Sequence, residues 1–354
     1  MSTPRIVVLT TGGTISSTAS TPLPTGTSSG IRPALRGHDL LRALPADHPV
    51  VHALSDAVIE VVDIYQKDSS QLQPADVDAV TAAVVAALRN GASGIVVVHG
   101  TDTLESMALW LQMVCPLGDY RCPLAVTGAS FPADSVNPDG PQNLADALHF
   151  VLRDDSAAAV HVVFAGRVLP AWGVVKIATD QQEAFASVSP EIGLQMPVLP
   201  TVTLPLRPTP LLAADTPLVR IVTSDFGDDG SLLRFAATPS PDNPVRAVVV
   251  EALGSGNLPV AAARTLCQLR AAHPEVAVVV TTRVPLGKVE AVYGCPGGGA
   301  DLAAAQIPLC PYLRAPQCRM VVLALLQAGY AAAEIEQVFR AAAQCANVHS
   351  SVRR

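Results

Sequence analysis

Apolar residues in this chain gather in short runs rather than in strict alternation with polar ones. Residues 6–9, 58–64, 94–98, 124–126 and 160–164 are dominated by Val, Ile and Leu. Such runs suit strands covered on both faces, as in a parallel sheet. Between them the spacing turns helical: residues 74–89 carry Val77, Val80, Val84, Val85 and Leu88. Residues 103–114 and 141–152 each follow another strand-like run in the same way. Alternating strand and helix predicts an α/β, doubly wound domain with a mainly parallel sheet.

Residues 189–217 interrupt this rhythm with seven prolines, which neither a helix interior nor a central strand tolerates. The break predicts an N-terminal domain over 1–190, a Pro-rich linker over 191–217 and a smaller C-terminal α/β domain over 218–354. In the last block residues 218–223, 247–251 and 276–281 read as strands. Residues 258–272, 314–329 and 331–343 read as helices. Residues 16–33 are rich in Ser, Thr, Pro and Gly, and a long segment of this kind just after a strand end predicts a lid.

Composition narrows the partners. Hydrophobic residues make up 49% of the 354, enough for a large core and too apolar for disorder. A formal net charge of −7 without a long basic run disfavours nucleic acid and anionic membranes. The seven cysteines are odd in number and show no C-x-x-C or zinc spacing, which fits free thiols and no metal site. The N-terminus lacks the features of a secretory signal, and no apolar run approaches a membrane span, so the cytoplasm is the expected location.

Two segments carry candidate chemistry. Thr10-Thr11-Gly12-Gly13-Thr14-Ile15 follows the first strand, and His99-Gly100-Thr101-Asp102-Thr103-Leu104-Glu105 follows another and opens a helix. Both therefore fall at the carboxyl edge of a parallel sheet, where ligands of open α/β sheets bind. The first could also be a plain glycine turn and the second a plain helix cap. Lys176 is a lone cation among apolar residues, able to lose a proton if desolvated or simply to lay its stem on apolar surface. Gly26-Thr-Ser-Ser-Gly30 matches G-x-S-x-G but lacks the strand and helix of a nucleophile elbow. Gly297-Gly-Gly299 has no P-loop Lys-Ser/Thr after it and reads as a turn.

Taken together, these segments resemble the bacterial-type L-asparaginase/glutaminase family. TGGTI and HGTDT match its two signatures in order and spacing, with Thr14 and Thr101 separated by 87 positions. Further matches are Asp68-Ser69-Ser70, Thr127-Gly-Ala129, the Asp139–Asn143 segment, Lys176 and Gly254-Ser-Gly-Asn257. The resemblance implies a cofactor-free and metal-free amide hydrolase whose nucleophile is Thr14, with Thr101, Asp102 and Lys176 as a Thr–Asp–Lys group. It implies a substrate, L-asparagine, lying against Gly13, Ser69, Ser70, Gly100, Thr101 and Asp102. It also implies a homo-oligomer, dimer or tetramer, with Asn257 in a loop facing a partner's site.

One departure stands out. The family's lid tyrosine is missing: Ile31 stands at that place, in Gly30-Ile31-Arg32-Pro33. Tyr65 and Tyr293 are the candidates to supply its hydroxyl. The acidic residue that secreted members direct at a partner is not matched in register; Glu290 lies nearby, and Pro259 replaces a second Asn. Three readings follow: an asparaginase, an amidohydrolase preferring glutamine or a larger amide, and a weakly active binder of aspartate or asparagine.

Overall fold

The computed structural model describes residues 3–19, 30–153, 156–189, 216–242 and 244–351. The centre of the expected lid and almost all of the expected linker lie outside these. The described residues separate into two compact units, one up to Ala186 and the other made of residues 187–189 and those from 216 onward.

In the first unit the apolar runs become strands β1 (Arg5–Gly12), β4 (Val58–Lys67), β5 (Gly94–Val98), β6 (Leu124–Thr127) and β7 (Val160–Phe164). Strands β2 (Ser17–Ala19) and β3 (Ile31–Pro33) lie between β1 and β4, and β8 (Arg167–Pro170), β9 (Val174–Lys176) and β10 (Phe185–Ser187) follow β7. The main sheet runs in the order β4-β1-β5-β6-β7-β8. Its first five strands pair parallel, as the unbroken apolar runs require, and every residue of β5 is buried. β8 returns antiparallel through a tight turn at Ala165 and Gly166, both with positive φ. Strands β8 to β10 were not evident from the pattern, because each has only three or four residues.

Six helices join these strands: α1 (Gly37–Arg42), α2 (Pro49–Leu54), α3 (Pro74–Arg89), α4 (Leu104–Val114), α5 (Leu117–Tyr120) and α6 (Gly140–Leu152). Pro74 stands in the first turn of α3, where its missing N–H costs nothing, and Asp76 accepts from the backbone of Gln73 at 2.8 Å. α4 is buried nearly all round, and its Trp110 donates Nε1–H to Thr81 on α3 at 3.1 Å, so the indole keeps a partner inside the core. The expected lid is structured at its base, where β2 and β3 pair antiparallel.

The second unit holds a parallel three-stranded sheet, β11 (Leu218–Thr223), β12 (Val245–Ala252) and β13 (Ala277–Thr282), in that order. Its strands and the helices around them share a core that includes Val248, Leu266 and Val280.

Candidate active site

The site residues sit where β1, β4, β5 and β9 end. Three threonines lie along β1 and the turn that follows it, in different environments. Thr10 donates to Asp63 at 2.6 Å, and Thr11 donates to the carbonyl of Val98 at 3.0 Å, so both hydroxyls bind the strand to its neighbours. The chain then turns through Gly12 and Gly13, with φ of +96° and +80°. Thr14 opens a short 3₁₀ turn, and Ser16 and Ser17 donate to the carbonyl of Gly13 at 3.0 and 2.8 Å. Thr14 is partly exposed, and its hydroxyl has no hydrogen-bond partner among the described residues.

Backbone contact joins this turn to the second signature. A Cβ on Gly13 would lie 2.4 Å from the Cα of Gly100, and a Cβ on Gly100 would lie 2.7 Å from Ser69 Oγ. Three strand ends therefore meet through the Gly13 and Gly100 backbones and the small Ser69 side chain, and only glycine fits at those two positions. His99, fully buried, lies 2.7 Å through Nδ1 from the Gly100 carbonyl, and burial pushes its pKa down to about 4. The ring is thus neutral at pH 7, donating from Nδ1 to that carbonyl.

The Thr101–Asp102 turn is tied in several directions. Lys176, at the end of β9, donates from Nζ to Thr101 Oγ1 at 2.9 Å and to Asp102 Oδ1 at 2.8 Å. Ser69 Oγ accepts the backbone N–H of Asp102 at 3.2 Å, and Thr103 donates to the Ser69 carbonyl at 3.3 Å. Thr101 is 7% exposed, whereas the Asp102 side chain is 62% exposed. One hydroxyl is therefore held in place under a carboxylate that can still reach a ligand from solvent. Ser70 is exposed beside Ser69 on the same 3₁₀ turn.

Other expected segments support these loops. Asn143 donates to the Gly128 carbonyl at 3.0 Å and accepts from the Ala165 N–H at 2.9 Å. The Asp139 carboxylate accepts from Ser130 and Phe131 N–H groups, both at 2.9 Å. Tyr65, near the end of β4, has a buried hydroxyl with no hydrogen-bond partner among the described residues, and burial followed by the Asp76 charge pushes its pKa up.

Three expected residues belong to the second unit. Asn257 Oδ1 accepts the Gly299 N–H at 3.0 Å, at the start of helix Gly299–Ala304. Glu290 pairs with Lys288 at 2.8 Å, and Tyr293 is exposed. Sequence reasoning assigned no role to Glu105, whose carboxylate accepts the backbone N–H of Lys176 at 2.7 Å. A lone charge in an otherwise uncharged helix was the available signal. Among the described residues no group of three or more His, Cys, Asp or Glu is arranged to hold a metal ion. No described helix is long and apolar enough to cross a membrane.

Comparison with known proteins gives a consistent result. The family model described as "Asparaginase, N-terminal" matches residues 5–196, and that described as "Glutaminase/Asparaginase C-terminal domain" matches residues 218–339. A probable L-asparaginase of Deinococcus radiodurans is 32% identical over 346 residues, covering 96% of this chain and 98% of the relative. An L-asparaginase of Thermococcus kodakarensis is 28% identical over 297 residues, covering 81% and 82%. The crystal structure of a probable cytoplasmic L-asparaginase from Campylobacter jejuni shares the fold, with a TM-score of 0.72, 22% identity, and coverage of 95% of this chain and 99% of that one. With both family models in register along the chain and a relative aligned over nearly its whole length, this protein belongs to the asparaginase family.

Proposed function

We propose that the protein hydrolyses L-asparagine to L-aspartate and ammonia, with Thr14 as nucleophile. The observation that carries this reading is the double hydrogen bond from Lys176 Nζ to Thr101 and Asp102. A threonine hydroxyl is a poor nucleophile unless a base is within reach, and here a lysine is set against a threonine at the same sheet edge as Thr14. In the relay the unprotonated Lys176 amine takes the Thr101 proton as Thr101 Oγ1 takes that of Thr14.

In the first half-reaction the Thr14 oxygen bonds to the side-chain amide carbon. The C–N bond breaks, and the hydroxyl proton leaves with the nitrogen as ammonia. In the second, water adds to the acyl-enzyme, the ester bond breaks, and Thr14 regains its proton as aspartate departs. The two glycine-rich turns supply backbone N–H donors for the charge that develops on the carbonyl oxygen. Asp102 and Ser69, with Ser70, Gly13 and Gly100 around them, hold the substrate's amino and carboxylate groups. The test is ammonia release from asparagine: Thr14→Ala should lower kcat by roughly 10³-fold or more. Variant turnover equal to wild type would refute the nucleophile.

A second reading, preference for glutamine, draws on the name of the C-terminal family model, which carries both activities. One methylene changes discrimination by about 1–3 kcal/mol, so the ratio of kcat/KM for the two amides decides it. We further propose a homo-oligomer, whose mass sedimentation would report.

A further inference from the structure

Lys176 is held at two places. Its ammonium is gripped by Thr101 and Asp102, and its backbone N–H is gripped by Glu105 Oε2. Glu105 stands in the first turn of α4, between the buried Leu104 and Met107, and is itself 7% exposed. The helix N-terminus favours a negative charge there, but burial strips it of water. Its neighbours show that an apolar side chain packs at this end of α4, so the core does not call for an acid.

We propose that Glu105 is a positioning residue for Lys176. It fixes the backbone from which the Lys176 amine reaches Thr101, and its negative charge favours the transfer of the Thr101 proton to that amine. This inference rests on the reading of Lys176 as proton partner of Thr101.

The elements packed on α4 are β6, β7, β9 and α3. β9 brings Lys176, β6 has no titratable side chain, and β7 has His161, whose ring lies against Phe150. α3 brings Asp76, which is paired with Lys67, together with Asp78 and Arg89. Asp102 precedes the helix. Burial pushes the Glu105 carboxyl up to about 7, against the hydrogen bond and charge of Lys176, which lower it. A carboxyl raised in this way is ionised above its pKa and loses its charge as pH falls through about 7. The acid limb of kcat should therefore have its midpoint there.

The experiment measures kcat and KM for asparagine against pH in wild type, Glu105→Gln and Glu105→Ala. Aspartate binding by calorimetry checks that the pocket is intact. Glu105→Gln keeps an oxygen that accepts the N–H but loses the charge. It should hold KM within about threefold, lower plateau kcat roughly tenfold and flatten the limb near 7. Glu105→Ala loses anchor and charge and should lower kcat by a further factor of about ten. A limb that persists in Glu105→Gln, or an unchanged kcat in Glu105→Ala, overturns the proposal. Should neither variant bind aspartate, the wild-type profile decides: a limb near 7 supports the role of Glu105 and a flat profile overturns it. Wild type without asparagine turnover would instead overturn the asparaginase reading.

Discussion

At the carboxyl edge of the N-terminal sheet, Lys176 bonds to both Thr101 and Asp102, and the Thr14 hydroxyl has no hydrogen-bond partner among the described residues. At the carboxyl edge of the C-terminal sheet, Thr223 donates to Glu251 and Ser224 to Asp228, both at 2.6 Å, and other polar residues bond to backbone. Thr281 donates to the Leu313 carbonyl, Thr282 to that of Gly254, and Asn257 accepts from Gly299. The C-terminal sheet is parallel and the N-terminal one mainly so, and both are flanked by helices, so architecture does not separate them. The difference lies in the cation: Lys176 joins a hydroxyl and a carboxylate at the N-terminal edge, whereas the Thr223–Glu251 and Ser224–Asp228 pairs include none. A hydroxyl held by a lysine has an amine with which to exchange a proton; a hydroxyl that donates only to a carboxylate or a carbonyl is a tie within the fold.

The largest expected effect tests the N-terminal edge. Lys176→Met should lower kcat for asparagine by about 10²–10⁴-fold. It should change stability by no more than about 1 kcal/mol, because the Asp102 partner is mostly exposed and such ion pairs contribute little. A large fall in melting temperature with kcat intact would break the comparison.

Asn257→Ala is the counterpart at the C-terminal edge. Losing a side-chain acceptor at a helix start costs about 1 kcal/mol, read as a lower denaturation midpoint. An unchanged midpoint with a raised KM would move Asn257 into the substrate site instead.

The smallest effect is at Tyr65. Its buried hydroxyl lacks a hydrogen-bond partner among the described residues, so Tyr65→Phe should leave stability unchanged or raise it by up to about 1 kcal/mol. A clear loss of turnover in Tyr65→Phe would make this residue the stand-in for the missing lid tyrosine, and the same change at Tyr293 is the control.

The parallel strands were legible because burial on both faces writes an apolar run into residues 6–9 and 94–98, and those runs are buried. The turns at Thr14 and Thr101 were legible as two signatures at strand ends. What binds them was not. Lys176 meets Asp102 across 74 positions, and Asn257 meets Gly299 across 42. Spacing along a chain carries no sign of such contacts, and only the family resemblance suggested the first. Glu105 stands beside its signature with no legible role, since nothing local reveals that its acceptor faces the backbone of residue 176.

The close approach of Gly13 to Gly100, and of Gly100 to Ser69, has a consequence for how the molecule matures. These residues lie just past the ends of strands whose pairing joins residues 5–12 with 58–67 and 94–98, so no short continuous fragment of the chain contains the pocket in miniature. Long-range parallel pairing forms slowly. A trapped intermediate with its helices in place would look largely native by far-ultraviolet circular dichroism and still release no ammonia. Turnover is therefore a stricter reporter of refolding than secondary structure, and it should recover last.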